Sequence, residues 1–121
     1  MKVVCVVDDE PQVRKSLANL LRSAGYQAVC FASGEGFLAS EWCSRAMALV
    51  LDLHMPGLQG VDVQCRLKEA GFSLPVICMS ANNSREVAQQ ALQDGARAFL
   101  AKPFSAEALL TLLASLSGAE A

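Results

Sequence analysis

Five short apolar runs punctuate the chain: "VVCVV" (Val3–Val7), "YQAVCF" (Tyr26–Phe31), "MALVLDL" (Met47–Leu53), "LPVICMS" (Leu74–Ser80) and "RAFLA" (Arg97–Ala101). Their apolar residues are continuous instead of alternating with polar ones, the pattern of strands covered on both faces. Between the runs the apolar spacing lengthens to three and four. Val13, Leu17, Leu20, Leu21 and Ala24 share one helical face, with Pro11 suited to the first turn and Gly25 to the stop. Val63, Leu67 and Ala70 repeat the pattern up to Gly71, and Val87, Ala88, Ala91 and Leu92 follow the candidate cap Ser84 and end at Gly95. Leu109, Leu110, Leu113 and Leu116 mark a last helix starting near Ser105, and a second helix is expected near Gly34 to Cys43. This alternation predicts an α/β domain with five strand–helix units and a parallel sheet. Pro75 falls at the first residues of its strand, where a missing donor is tolerated.

In an open parallel sheet, ligands bind beyond the carboxyl ends of the strands. The residues just after each run are therefore the informative ones. Asp8, Asp9 and Glu10 follow the first run, Asp52 ends the third, Ser80 ends the fourth, and Lys102 and Pro103 follow the fifth. Taken singly, each has an ordinary structural reading: Asp9 or Glu10 as helix caps, Asp52 as a turn residue, Ser80 as a satisfied hydroxyl, Lys102 as a solvated charge. Jointly they describe one site. Carboxylates crowded to 4 Å repel by about 4 kcal/mol per pair at an effective dielectric near 20, and one lysine cannot offset three of them. A hard divalent cation can; Mg²⁺ takes one or two carboxylates and leaves positions for phosphate oxygens. The cluster then suits phosphoryl transfer, with Asp52 as nucleophile and the metal, Lys102 and Ser80 neutralising the phosphoryl oxygens.

Composition narrows the field further. A chain of 121 residues supports one core, and a net charge of -2 gives no basic footprint for nucleic acid or an anionic membrane. The opening "MKVVCVVDDE" has an apolar run too short for a secretory signal and reads as a strand; no segment reaches the length of a membrane span. Five widely spaced cysteines without a C-x-x-C pair suggest neither zinc nor a redox dithiol. Cys5, Cys30 and Cys78, inside apolar runs, read as small buried hydrophobes in a reducing cytosol. The closing "SGAEA" has the composition of a linker or tail, which places the domain at 1–116 and the tail at 117–121.

Together "VVDDE", "LDLHMPGLQG", "MSANN" and "FLAKPF" resemble, in order and spacing, the receiver domain of two-component response regulators, over nearly the whole chain. "VRKSLANLLRSAGYQAVCFASGEGFL" and "GARAFLAKPF" look most like the FixJ-like subgroup of transcriptional regulators. The resemblance implies a flavodoxin-like (βα)5 fold with strand order 2-1-3-4-5. It also implies Asp52 as phosphoacceptor, Asp9 as direct metal ligand, Asp8 as its partner through water, and the backbone carbonyl of His54 as a further ligand to Mg²⁺ or Mn²⁺. Ser80 matches the family's Ser/Thr position, Lys102 the phosphate-contacting lysine, and Phe99 the aromatic switch position; the bond before Pro103 is commonly cis in this family. Ser80 for the frequent Thr and Phe99 for the common Tyr are departures that remove no catalytic group.

The implied partner is a sensor histidine kinase, and the domain is expected to be no enzyme beyond catalysing its own phosphotransfer and slow autodephosphorylation. The implied output is transcription through a domain outside this chain, a stand-alone phosphoryl shuttle being the alternative. A homodimer through the face made by the fourth helix, fifth strand and fifth helix is expected, with a cytoplasmic location and no direct contact to nucleic acid or membrane. Two rivals share parts of the pattern. A flavodoxin should carry a Ser/Thr/Gly-rich phosphate loop where this chain has "DDEP". A haloacid-dehalogenase-like phosphatase should show D-x-D after the first strand, and "VVDDEP" lacks the second aspartate.

Overall fold

The computed structural model describes residues 2–118 apart from Asn83. In chain order the elements are β1 (Val3–Val7), α1 (Pro11–Ser23), β2 (Gln27–Phe31), α2 (Gly34–Leu38), a 3-10 turn (Glu41–Cys43), β3 (Ala48–Asp52), α3 (Gly60–Glu69), β4 (Val76–Ser80), α4 (Arg85–Gln93), β5 (Ala98–Ala101) and α5 (Ala106–Gly118). All strand pairs are parallel and the order is β2-β1-β3-β4-β5, so the chain reverses its direction of winding between β1 and β3. That reversal opens the crevice at which such sheets bind ligands.

The central strands β1, β3 and β4 are buried along their whole length, as continuous apolar runs require, whereas the edge strands β2 and β5 are half-buried for most of theirs. Alternate residues point to opposite faces. Val4 and Val6 join Leu17 and Leu21 of α1 and Leu109 and Leu113 of α5 in one core layer. Val3, Cys5 and Val7 join Phe37 of α2, Val63 and Leu67 of α3 and Ala91 of α4 in the other. Burial pushes the Cys5 and Cys78 thiols up to about 12, in keeping with their reading as hydrophobes. Cys30, expected to be buried with them, is only half-buried because β2 lies at the sheet edge.

The second helix departs from expectation. The stretch from Gly34 to Cys43 forms two pieces, because Ser40 interrupts it: its hydroxyl donates to the Phe37 carbonyl at 2.6 Å and accepts from the Trp42 N–H at 3.2 Å, capping a new turn. Helix α5 continues to Gly118, two residues into the span read as a tail; residues 119–121 lie outside the described part. Each strand after the first starts one or two residues later than its apolar run, yet Met47 N–H still bonds Val3 O and Arg97 N–H bonds Val76 O, both at 2.8 Å.

Candidate functional site

Strand register brings the acids together. Val7 pairs with Leu51, so Asp8 and Asp52 leave adjacent strands side by side, and Ser80 pairs with Ala101, so Lys102 emerges beside Ser80. The Lys102 N–H bonds the Ser80 carbonyl at 2.8 Å, and the Lys102–Pro103 bond is cis. From this root the Lys102 ammonium reaches back across β3, donating to Asp8 Oδ2 at 2.8 Å and lying 3.7 Å from Asp52 Oδ2.

Asp8 is fully buried: besides the bond from Lys102 to Oδ2, its Oδ1 accepts from the Glu10 N–H at 2.9 Å, and its backbone N–H donates to Phe31 O. Glu10, at the N-cap of α1, makes no side-chain cap bond. Asp52 is 4 % exposed, with Oδ1 accepting from the His54 N–H at 3.3 Å. Burial, then the charge of Asp8, lifts its carboxyl above the ordinary value; Lys102 and the His54 N–H pull the other way, and Asp9 adds to the rise. Burial alone would lower the Lys102 ammonium, but its hydrogen bond to Asp8 and the charges of Asp52, Asp8 and Glu10 hold it above its usual value. One oxygen each of Asp8, Asp9 and Asp52 lies within 4.8 Å of the others. Three carboxylates that close, against one ammonium, form a hard oxygen donor set, and that set fits a small divalent cation.

The turn after Asp52 is shaped for closeness. Gly57 sits at φ +74°, and a Cβ on Gly60 would lie 2.7 Å from Leu53 Cα and 2.8 Å from the Asp52 carbonyl, so only glycine lets α3 begin this near the acid. Met55 is buried beneath the turn, while the His54 side chain is exposed. Ser80 is fully buried, its Oγ accepting from the Asn82 N–H at 3.0 Å. Phe99, on β5, is half-buried against the core layer of α2, α3 and α4. Asp8, Asp9, Asp52 and Lys102 are thus in one constellation, while Ser80 ends the neighbouring strand β4 and Phe99 lies on β5, paired with Cys78.

Sequence reasoning missed Arg14. Its Nη1 donates to the Asp8 carbonyl at 2.8 Å and fixes the backbone of the acidic loop. The available signal was a cation one turn into the helix that follows three acids.

An acid cluster facing one lysine across the carboxyl edge of a 2-1-3-4-5 sheet defines the receiver class of signalling domain. The chain matches the response regulator receiver domain family over residues 4–114, and it belongs to that family. Receiver domains are phosphorylated by histidine kinases, use Mg²⁺ in general, and are not a classical enzyme family. The response regulator protein TodT of Pseudomonas putida is 39% identical over 108 residues, covering 89% of this chain and 48% of that protein. The transcriptional regulatory protein TdiR of Thauera aromatica is 39% identical over 107 residues, covering 88% and 47%. The chain therefore spans about half the length of these curated relatives. Among solved structures, FixJ-N superposes with a TM-score of 0.88 at 32% identity, covering 98% of this chain and 94% of that one. Among the described residues no helix is long and apolar enough to cross a membrane.

Proposed function

We propose that Asp52 is the phosphoacceptor of this receiver domain and takes its phosphoryl group from the phosphohistidine of a sensor histidine kinase. The observation that carries the reading is the packing of Asp8, Asp9 and Asp52 within 4.8 Å around a single lysine. Asp8, Asp9, Asp52 and the backbone carbonyl of His54 would hold Mg²⁺ or Mn²⁺. Such an ion supplies charge neutralisation for the carboxylates and for the incoming phosphoryl oxygens.

This chain's own residues do the rest. The His54 N–H engages Asp52 Oδ1, which orients the carboxylate as a nucleophile. Lys102, held by Asp8 and already 3.7 Å from Asp52, is placed to donate a charge-assisted hydrogen bond to a phosphoryl oxygen. Ser80 offers a hydroxyl from the neighbouring strand end, and Ser80 with Phe99 would pass the change to the face of α4, β5 and α5. That face carries Arg85, Gln89, Gln93 and Arg97, all exposed, and is the proposed homodimer surface. Loss of the phosphoryl group is slow and intrinsic. The output is transcription, through a domain outside this chain, in the cytoplasm; 39% identity to relatives about twice as long, one of them a transcriptional regulatory protein, supports this. The domain itself touches neither nucleic acid nor membrane.

The test is covalent labelling. Incubation with a small acyl phosphate and Mg²⁺ adds one phosphoryl mass to the wild type and none to Asp52→Asn. Equal labelling of the variant, or labelling that persists under chelation, overturns the assignment.

A further inference from the structure

On the far side of β3 from α1, helices α3 and α4 do not close against each other. A cavity of about 190 Å³ separates them, lined by Leu53, His54, Val61, Gln64, Val87 and Asp94 among others. It adjoins a second of about 290 Å³ towards Phe72 and Arg97, and Gln64 and Asp94 line both. Val61 stands 44% exposed at the opening.

Two polar atoms here have no hydrogen-bond partner among the described residues: Gln64 Oε1 and Asp94 Oδ2. Gln64 is 4% exposed, and its other amide atom is already used, Nε2 donating to the Ala91 carbonyl at 3.1 Å. Asp94 Oδ1 likewise accepts from Gln90 Nε2 at 3.1 Å. Buried acceptors left unpaired are uncommon in native proteins and call for a donor. Both atoms here are acceptors and one belongs to a carboxylate; the lining of the smaller cavity includes no lysine or arginine, while Lys68 and Arg97 line the larger one that Asp94 shares. The remaining wall is largely aliphatic, from Leu53, Val61, Val87 and Ala91.

We infer that the α3–α4 cleft is a binding site for a small cationic molecule with an apolar body, an amine or amidine whose N–H groups satisfy Gln64 Oε1 and Asp94 Oδ2. The unpaired acceptors give the polar end, the carboxylate oxygen left without a partner gives the sign of charge, and the aliphatic wall gives the body. Because both oxygens are buried, entry requires the helices to part slightly, and the hydrogen bond from Gln64 to Ala91 is the tie that yields. The cleft shares Leu53 and His54 with the turn that follows Asp52, so an occupant touches the segment on which the acid cluster rests.

The probe is benzamidine, with benzoate as the same ring carrying the opposite charge. Titrated into the isotopically labelled chain, benzamidine should shift the amide resonances of Leu53, His54, Val61, Gln64 and Val87 saturably, and benzoate should leave them in place. Asp94→Asn and Gln64→Leu should each weaken benzamidine at least tenfold while retaining the wild-type pattern of amide resonances elsewhere. Absence of saturable shifts in the cleft overturns the inference, as does benzoate binding there equally well or unchanged affinity in both variants. Should either substitution unfold the chain, the comparison of the two probes on the wild type decides alone.

Discussion

Helices α1 and α4 flank the same carboxyl edge and are held in different ways. Along its 13 residues α1 buries Leu17, Ala18 and Leu21, and its Arg14 is tied to the Asp8 carbonyl. Over nine residues α4 buries only Ala91, starts from a Ser84 cap bond of 3.3 Å, and borders a cavity of about 190 Å³. Segments with few buried apolar contacts open at lower free energy than the global transition. The acids thus stand beside α1, on the firm half of the domain, and the surface proposed to carry the signal includes α4, on the loose half. A site that must hold several like charges needs fixed supports, whereas an output surface needs an element that can shift for little free energy.

The largest expected effect attacks that contrast directly. Leu21 is fully buried, and Leu21→Ala should destabilise the domain by about 2–5 kcal/mol through lost burial and a residual cavity. Val87 is half-buried beside space that already exists, and Val87→Ala should cost on the order of 1 kcal/mol. Urea denaturation of both variants measures the difference. Equal losses would remove the distinction between a firm and a loose half.

A smaller effect comes from the acid cluster itself. The carboxyl of Asp52 is lifted above its ordinary value of 3.8 by burial and by the Asp8 charge, so its ionised form penalises the folded state. A raised acid pKa means that its stabilising share is complete below the unfolded value and is lost as pH rises through the folded one. Asp52→Asn should therefore stabilise the metal-free protein at neutral pH by roughly 1 kcal/mol, a few degrees in Tm, with Lys102 still paired to Asp8. The advantage should shrink as pH falls towards 4 and vanish below the unfolded value of 3.8, where the carboxyl is protonated in both states. Mg²⁺ should narrow the gap at neutral pH by stabilising wild type more. Thermal melts of both proteins across pH 4–8, with and without Mg²⁺, test this. A gap that is constant with pH would mean that Asp52 does not carry the strain.

Much of this architecture is legible in the sequence because the central strands are continuous apolar runs and the helices carry a clean three–four spacing. The acid cluster is legible for a related reason: "VVDDE" and "LVLD" end strongly apolar strands with charge, and the charges fall together at the same sheet edge. What stays hidden depends on contacts between distant residues. Ser40 breaks the second helix through its bonds to Phe37 and Trp42, and a serine in "ASEW" gives no sign of that choice. The tie from Gln64 to Ala91 spans 27 positions, and nothing in "VDVQCRL" distinguishes a buried glutamine from a solvated one. Edge position, which leaves Cys30 half-buried, follows from strand order and not from the run "QAVCF".

The smallest effect concerns how the firm half moves the loose one. A short relay of hydrogen bonds leaves β4 for α4: Asn82 N–H donates to Ser80 Oγ at 3.0 Å, Ser84 N–H to Asn82 Oδ1 at 3.1 Å, and Val87 N–H to Ser84 Oγ at 3.3 Å. Ser80 Oγ is engaged as an acceptor, which leaves the hydroxyl proton for a phosphoryl oxygen once Asp52 carries one. That bond is charge-assisted and stronger than the one from Asn82, so Ser80 should turn inward and slacken the relay. The start of α4 is then freer to shift, and Phe99, half-buried against the same core layer, can move into the space beside Ser80. Phosphate can bias this equilibrium no further than its differential interaction with the two arrangements. Ser80→Ala should therefore accept the phosphoryl group yet show a weaker gain in self-association than wild type, and α4 amides should lose less protection from hydrogen exchange. Sedimentation and exchange on matched, fully phosphorylated samples measure both. Association equal to that of phosphorylated wild type would separate the output from this hydroxyl and place the coupling elsewhere, with the Lys102 contact the next to test.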